Sequence, residues 1–201
     1  MTNLFIDFFF DFSSPYGYLA STQIDQVGVR HNRKIIWRPY LMGAAFKLTG
    51  RTSLVNHPLV ANYAIRDLQR SARLINAPFN LPSKFPVPTV AACRAFYWIV
   101  DQDEVLAKQF AHKIYNAYFV DGEDISHRST VVKVATSLGV ESDKLENALS
   151  SQEEKQRLRD ETDRALSQQV FGSPYFIVDG EPFWGNDRIS QLETWLEKRG
   201  W

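Results

Sequence analysis

The sequence predicts an α/β fold in which a long block of helices interrupts a small sheet. Three observations carry this. The first forty residues read as strand, helix, strand; the last thirty read as strand, strand, helix; and the middle shows only helical periodicity.

The opening strand is the run Leu4–Phe10, apolar and aromatic enough to be buried on both faces. Ser14-Pro15 then reads as an N-cap followed by proline at the first helical position. Tyr16, Leu19, Ala20, Ile24 and Val27 form the apolar stripe of that helix, which is expected to close near Gly28. Ile35-Ile36-Trp37 is the second strand, completing a βαβ unit with a right-handed crossover. Asp7 and Asp11, four residues apart on one strand face, read as solvated strand-end carboxylates.

From Met42 the pattern changes. Ala61, Ala64, Ile65, Leu68, Ala72 and Ile75 recur at helical spacing, and prolines 78, 82, 86 and 88 exclude a helix across 77–88. Helices are predicted over roughly 89–101, 103–119, 127–138, 142–150 and 152–168. Tyr175–Val178, the turn Asp179-Gly180 and Phe183-Trp184 then form a hairpin. Asp187 is placed to cap a last helix, whose inward residues are Ile189, Leu192, Trp195 and Leu196.

Bulk properties narrow the function. Lys+Arg and Asp+Glu both number 23, so the net charge is zero and nothing favours nucleic acid as a partner. Leu4–Phe12 is too short and too acidic to cross a membrane and has no cleavage site, so a cytoplasmic protein is expected. The one cysteine, Cys93, forms no internal disulfide or dithiol relay and reads as a small buried side chain. His31, His57, His112 and His127 fall at no metal-ligand spacing, so no metal site is expected.

Four stretches carry a resemblance: "FDFSSPYGYLA" (10–20), "WRPYLMGAAFK" (37–47), "NHP" (56–58) and "FGSPYFIVDGEPFWGNDR" (171–188). In content, order and spacing they resemble the kappa-class glutathione transferases and 2-hydroxychromene-2-carboxylate isomerases, across essentially the whole chain. The resemblance implies a thioredoxin-like fold with an inserted all-helical domain: 1–45 and 170–201 would form the thioredoxin-like domain, and 46–169 the insertion. Redox relatives of that fold begin the first helix with Cys-Pro-x-Cys. Here the four residues are Ser14-Pro15-Tyr16-Gly17, without either sulfur.

The resemblance implies glutathione as cofactor, with Ser14 as the catalytic residue whose hydroxyl faces the glutathione sulfur. A helix N-terminus and a hydroxyl donor both favour a thiolate. By the same resemblance, Ser173 and Pro174, joined by a cis peptide bond, would meet the cysteinyl part. Trp184, Gly185, Asn186 and Asp187 would hold the γ-glutamyl end. Lys47, Asn56 and His57 would meet a small aromatic carboxylate substrate.

The implied reaction interconverts 2-hydroxychromene-2-carboxylate and trans-o-hydroxybenzylidenepyruvate in aromatic degradation. The alternatives are a kappa-like transferase or peroxidase and a non-catalytic glutathione-binding relative. Family members are commonly dimeric, which implies a homodimer. The chain departs from the family at Arg51-Thr52-Ser53-Leu54, where an asparagine and paired prolines are common. It departs again at Val60, which replaces a common basic residue; Arg51 would restore that charge.

Overall fold

A row of four aromatic rings crosses the sheet, one from each strand. In the computed structural model, which describes residues 4–201, the strands are β1 (Phe5–Phe10), β2 (Lys34–Pro39), β3 (Tyr175–Val178) and β4 (Glu181–Trp184), ordered β2-β1-β3-β4. β1 runs parallel to β2 and antiparallel to β3, and β4 returns antiparallel on β3. The register sets Trp37 beside Phe8, Phe8 beside Phe176, and Phe176 beside Phe183. Phe8 stacks on Phe176 at 5.4 Å and meets the edge of Trp37 at 5.0 Å. Such pairs add about 0.5–1.5 kcal/mol each beyond the area they bury.

Both faces of β1 are covered, as its unbroken apolar run predicts. Ile6, Phe8 and Phe10 join one large core, while Phe9 faces a second cluster with Tyr40, Ala45, Ala165, Val170 and Tyr175. The first three residues of the expected 1–45 segment lie outside the described residues.

Helix α1 (Pro15–His31) leaves β1 through the predicted cap, with the Ser14 Oγ accepting from the Gly17 N–H at 3.0 Å. It ends three residues later than expected, where Asn32 adopts the left-handed cap conformation (φ 51°). Gly28 does not stop the helix. It sits where a Cβ would press on Ile35 and the Arg33 carbonyl, so it lets α1 lie close on β2.

α2 (Met42–Thr49) was not read from the sequence, and it runs through the expected 45/46 boundary. α3 (Ala61–Leu74) follows a short 3-10 turn at Leu54–Asn56. α4 (Val90–Val100), α5 (Glu104–Phe119), α6 (Arg128–Thr136), α7 (Ser142–Ser150) and α8 (Gln152–Ser167) match the predicted helices to within two residues at each end. Phe96, Phe110 and Phe119 from α4 and α5 share the large core with Phe8, Phe10 and Tyr18.

The last helix, α9 (Ile189–Lys198), corrects one expectation. Gly185 (φ 117°) opens a 3-10 turn over Asn186–Arg188, so the cap position falls on Arg188 and no side chain caps the helix. Asp187 lies within the turn, and its carboxylate pairs with Arg188 at 3.1 Å.

The two strand-end aspartates are also not solvated. Asp7 is buried and paired with Arg38 at 2.5 Å. Asp11, just beyond β1, is buried among three donors: the Ser13 N–H (2.8 Å), the Thr89 hydroxyl (3.0 Å) and the Met42 N–H (2.9 Å). One carboxylate thus ties the β1–α1 loop to the start of α2 and to the entrance of α4. Burial raises its pKa above the ordinary carboxylate value, while the three donors oppose that rise.

Two outcomes follow for stability. Asp11→Asn turns an NH2 towards one of the three donors and should cost about 1–3 kcal/mol at pH 7. Because burial raises the wild-type pKa, the folded state holds the proton more tightly than the unfolded one. Stability from Asp11 is therefore greatest below about pH 3.9 and falls as pH rises through the folded value. The gap between wild type and Asn variant should narrow across that window in paired urea melts, and a widening gap would refute the burial assignment. Gly17→Ala places a methyl 2.8 Å from both the Ser173 and the Tyr115 hydroxyl oxygens. It should destabilise by about 1–3 kcal/mol in the same melts.

Candidate functional site

The first turn of α1 meets the segment that leads into β3, and the contact is made by two serines. The Ser14 Oγ donates to the Ser173 carbonyl at 2.7 Å, while the Ser173 Oγ accepts from the Asp11 N–H at 3.0 Å. The Ser173–Pro174 bond is cis, as the resemblance implies. Ser14 is only 3% exposed, and it uses its hydroxyl twice, as cap acceptor for Gly17 and as donor to Ser173. One hydroxyl thus caps the helix and ties it to the cis-proline segment.

Gly17 stands where a second cysteine would stand in a redox relative. Here the absence of a side chain lets the Ser173 and Tyr115 hydroxyls pack against the helix. Tyr115 donates to the Asp11 carbonyl (3.2 Å) and Tyr40 to the Gly172 carbonyl (2.8 Å), which fixes the backbone on both sides of the serine pair. Burial, together with the nearby Asp11 charge, pushes both phenols well above their usual pKa, so they remain donors.

Trp184 and Gly185 continue the same edge. The Gly185 N–H bonds to the Pro174 carbonyl at 3.1 Å. The Trp184 indole lies so close to Gly172 that a Cβ there would collide with its Nε1, yet Trp184 is 49% exposed and offers an open aromatic face. Asn186 is tied back to α1 through Gln23 at 3.1 Å. Asp187 is exposed beside Arg188. Its charge acts on Tyr16, whose phenol is raised in pKa by burial first, then by its hydrogen bond to Asp67 (2.7 Å).

Lys47, Asn56 and His57 are not joined to this cluster. Lys47 is exposed near the end of α2, and Asn56 and His57 are exposed at the 3-10 turn, where the His57 ring lies 3.5 Å from the Thr52 hydroxyl. Arg51, in contrast, reaches the cluster. Its guanidinium carbon lies 5.3 Å from the Phe171 ring and 5.7 Å from that of Trp184, contacts worth about 0.5–1 kcal/mol each at exposed sites.

Sequence reasoning missed Asp11, Thr89, Tyr40, Tyr115 and Phe171. A buried polar group beside an apolar strand is a signal for the first; the others depend on tertiary contacts alone. Cys93 is buried, and burial followed by the Asp11 charge raises its thiol pKa well above normal. It supplies no thiolate.

The chemistry of the donor set suits a peptide-like thiol. It combines a hydroxyl at a helix start, the backbone of the cis-proline segment, an exposed carboxylate beside Arg188 and the Arg51 guanidinium. Among the described residues no helix is long and apolar enough to cross a membrane.

Comparison with known proteins bears on the fold and the family. The model of the DSBA-like thioredoxin domain matches residues 5–197. A 2-hydroxychromene-2-carboxylate isomerase of Sphingobium xenophagum is 28% identical over 193 residues, covering 95% of this chain and 97% of the relative. The glutathione S-transferase kappa 2 of Caenorhabditis elegans is 28% identical over 204 residues, covering 95% and 91%. A solved structure of a 2-hydroxychromene-2-carboxylate isomerase superposes with a TM-score of 0.88 at 26% identity, covering 97% of this chain and 95% of that one. With its sheet order and its cis-proline segment, this chain belongs to the DSBA-like thioredoxin family, and it is similar to 2-hydroxychromene-2-carboxylate isomerases and kappa-class glutathione transferases.

Proposed function

We propose that this protein is a glutathione-dependent isomerase of 2-hydroxychromene-2-carboxylate or a related unsaturated aromatic acid. The observation that carries the reading is the Ser14–Ser173 contact in a chain whose single cysteine is buried. On this reading the site uses a thiol, and with Cys93 buried that thiol comes from outside. When bound, glutathione supplies a thiolate that adds to the conjugated double bond, frees it to rotate and leaves unchanged.

The residues divide the work by their geometry. Ser14 redirects its hydroxyl proton from the Ser173 carbonyl to the cofactor sulfur, exchanging one acceptor for another without moving the cap bond to Gly17. That donor and the start of α1 favour the thiolate over the thiol, each unit of lowered pKa being worth about 1.4 kcal/mol. Ser173, held by the cis bond to Pro174, offers its backbone to the cysteinyl unit. Trp184 presents its exposed indole beside them, and Gly185, Asn186 and Asp187 receive the amino-acid end. Lys47 on α2, with Asn56 and His57 at the 3-10 turn, would meet the aromatic acid from the exposed side.

The kappa-type relative favours a second reading, conjugation or peroxidase chemistry at the same site. The two part on mass balance: isomerisation leaves total glutathione constant, and conjugation or oxidation consumes it. Product analysis with quantified glutathione is expected to show no loss per turnover.

Ser14→Ala should reduce kcat by about 10²-fold or more, the loss typical of one preorganised donor. An unchanged kcat would remove Ser14 from the mechanism. The lost cap bond should cost about 1 kcal/mol, which a parallel thermal melt separates from the kinetic effect.

A further inference from the structure

α2 ends in a turn that aims a cation at the far side of the site. Gly50 follows the helix in the left-handed conformation (φ 67°), and the Arg51 N–H returns to the Phe46 carbonyl at 3.1 Å. From there the Arg51 side chain lies against Phe171 and Trp184, whose rings meet edge to face at 4.8 Å. Trp184 is itself pressed on Gly172, the residue before Ser173. Only one aromatic layer therefore separates the guanidinium from the backbone that Ser14 contacts.

Among the described residues no carboxylate lies within ion-pair distance of Arg51, and its guanidinium donates no hydrogen bond. The exposed carboxylate on this edge, Asp187, is paired with Arg188. A guanidinium held through ring contacts keeps its planar fork of N–H donors for a planar anion, and two parallel bonds to a carboxylate are the arrangement that fork fits best. Lys47, one turn earlier on α2, adds positive charge to the same segment.

We infer that Arg51, stacked on Phe171 and Trp184, is the carboxylate receptor of this site. The carboxylate comes either from the glycyl end of glutathione, in which case the inference rests on the glutathione reading, or from the unsaturated acid itself. Calorimetric titration separates the sources. The ligands are glutathione, its glycyl ethyl ester and trans-cinnamate, each run against wild type, Arg51→Gln and Arg51→Lys.

If the cofactor supplies the carboxylate, Arg51→Gln weakens glutathione about tenfold, to the level of the ester, and leaves the ester unchanged. If the acid supplies it, the same variant weakens trans-cinnamate and spares glutathione. Arg51→Lys should recover part of the loss in either case. Arg51 is exposed, and circular dichroism should show an intact fold. Affinities of Arg51→Gln within twofold of wild type for both acids would overturn the inference while leaving the glutathione reading standing. A wild type that binds trans-cinnamate but no glutathione defeats that reading, and the cinnamate arm then decides Arg51 alone. A wild type that binds neither defeats both.

Discussion

The buried Asp11 carboxylate is the constraint on which the site rests. Its oxygens hold the β1–α1 loop, the start of α2 and the approach to α4, while its backbone N–H and carbonyl engage Ser173 and Tyr115. Those groups come from five separate stretches of chain. Each donor would be costly to bury unpaired, so the carboxylate specifies where the stretches meet as much as it stabilises them. The Ser14–Ser173 contact follows from that placement. With α1 started at Pro15 and Ser173 fixed by the Asp11 N–H, the cap hydroxyl has the Ser173 carbonyl within reach.

Much of the fold was legible because local signals and tertiary demands agree. β1 is apolar at every position except Asp7, and the sheet buries it on both sides. Ser14-Pro15 is a helix start by capping chemistry, and α4 to α8 follow their apolar spacing. The failures mark places where a distant group decides. Gly28 looked like a helix stop, but Asn32 takes the left-handed position and Gly28 serves close packing against Ile35. Asp187 looked like a cap, but the Gly185 turn shifts the helix start beyond it. Asp11 looked like a solvated strand end because nothing local announces Thr89, seventy-eight residues away.

The site was legible in part for the same reason. Ser14, Ser173, Pro174, Trp184 and Gly185 sit in two short stretches, and the sheet register brings those stretches together. Lys47, Asn56 and His57 lie on a segment whose path is not set by the sheet, and no contact carries them to Ser14. Arg51 belongs to that segment too, yet Gly50 turns it back, and two aromatic rings on the opposite side give it a seat.

The loss of both cysteines changes what the scaffold can do without dismantling it. A serine at the helix start preserves the cap bond and the approach to the cis-proline segment, and it removes the possibility of a stored disulfide. Glycine at the second position closes the gap against Ser173 and Tyr115, so no space remains there for a sulfur. The hydroxyl retained at position 14 is a donor rather than a nucleophile, and its present acceptor is a neutral carbonyl. An anionic acceptor forms stronger hydrogen bonds than a neutral one, roughly twofold in energy. On the glutathione proposal, that stronger acceptor is what would offset leaving the Ser173 carbonyl and let a structural cap serve also as a receptor for reduced sulfur.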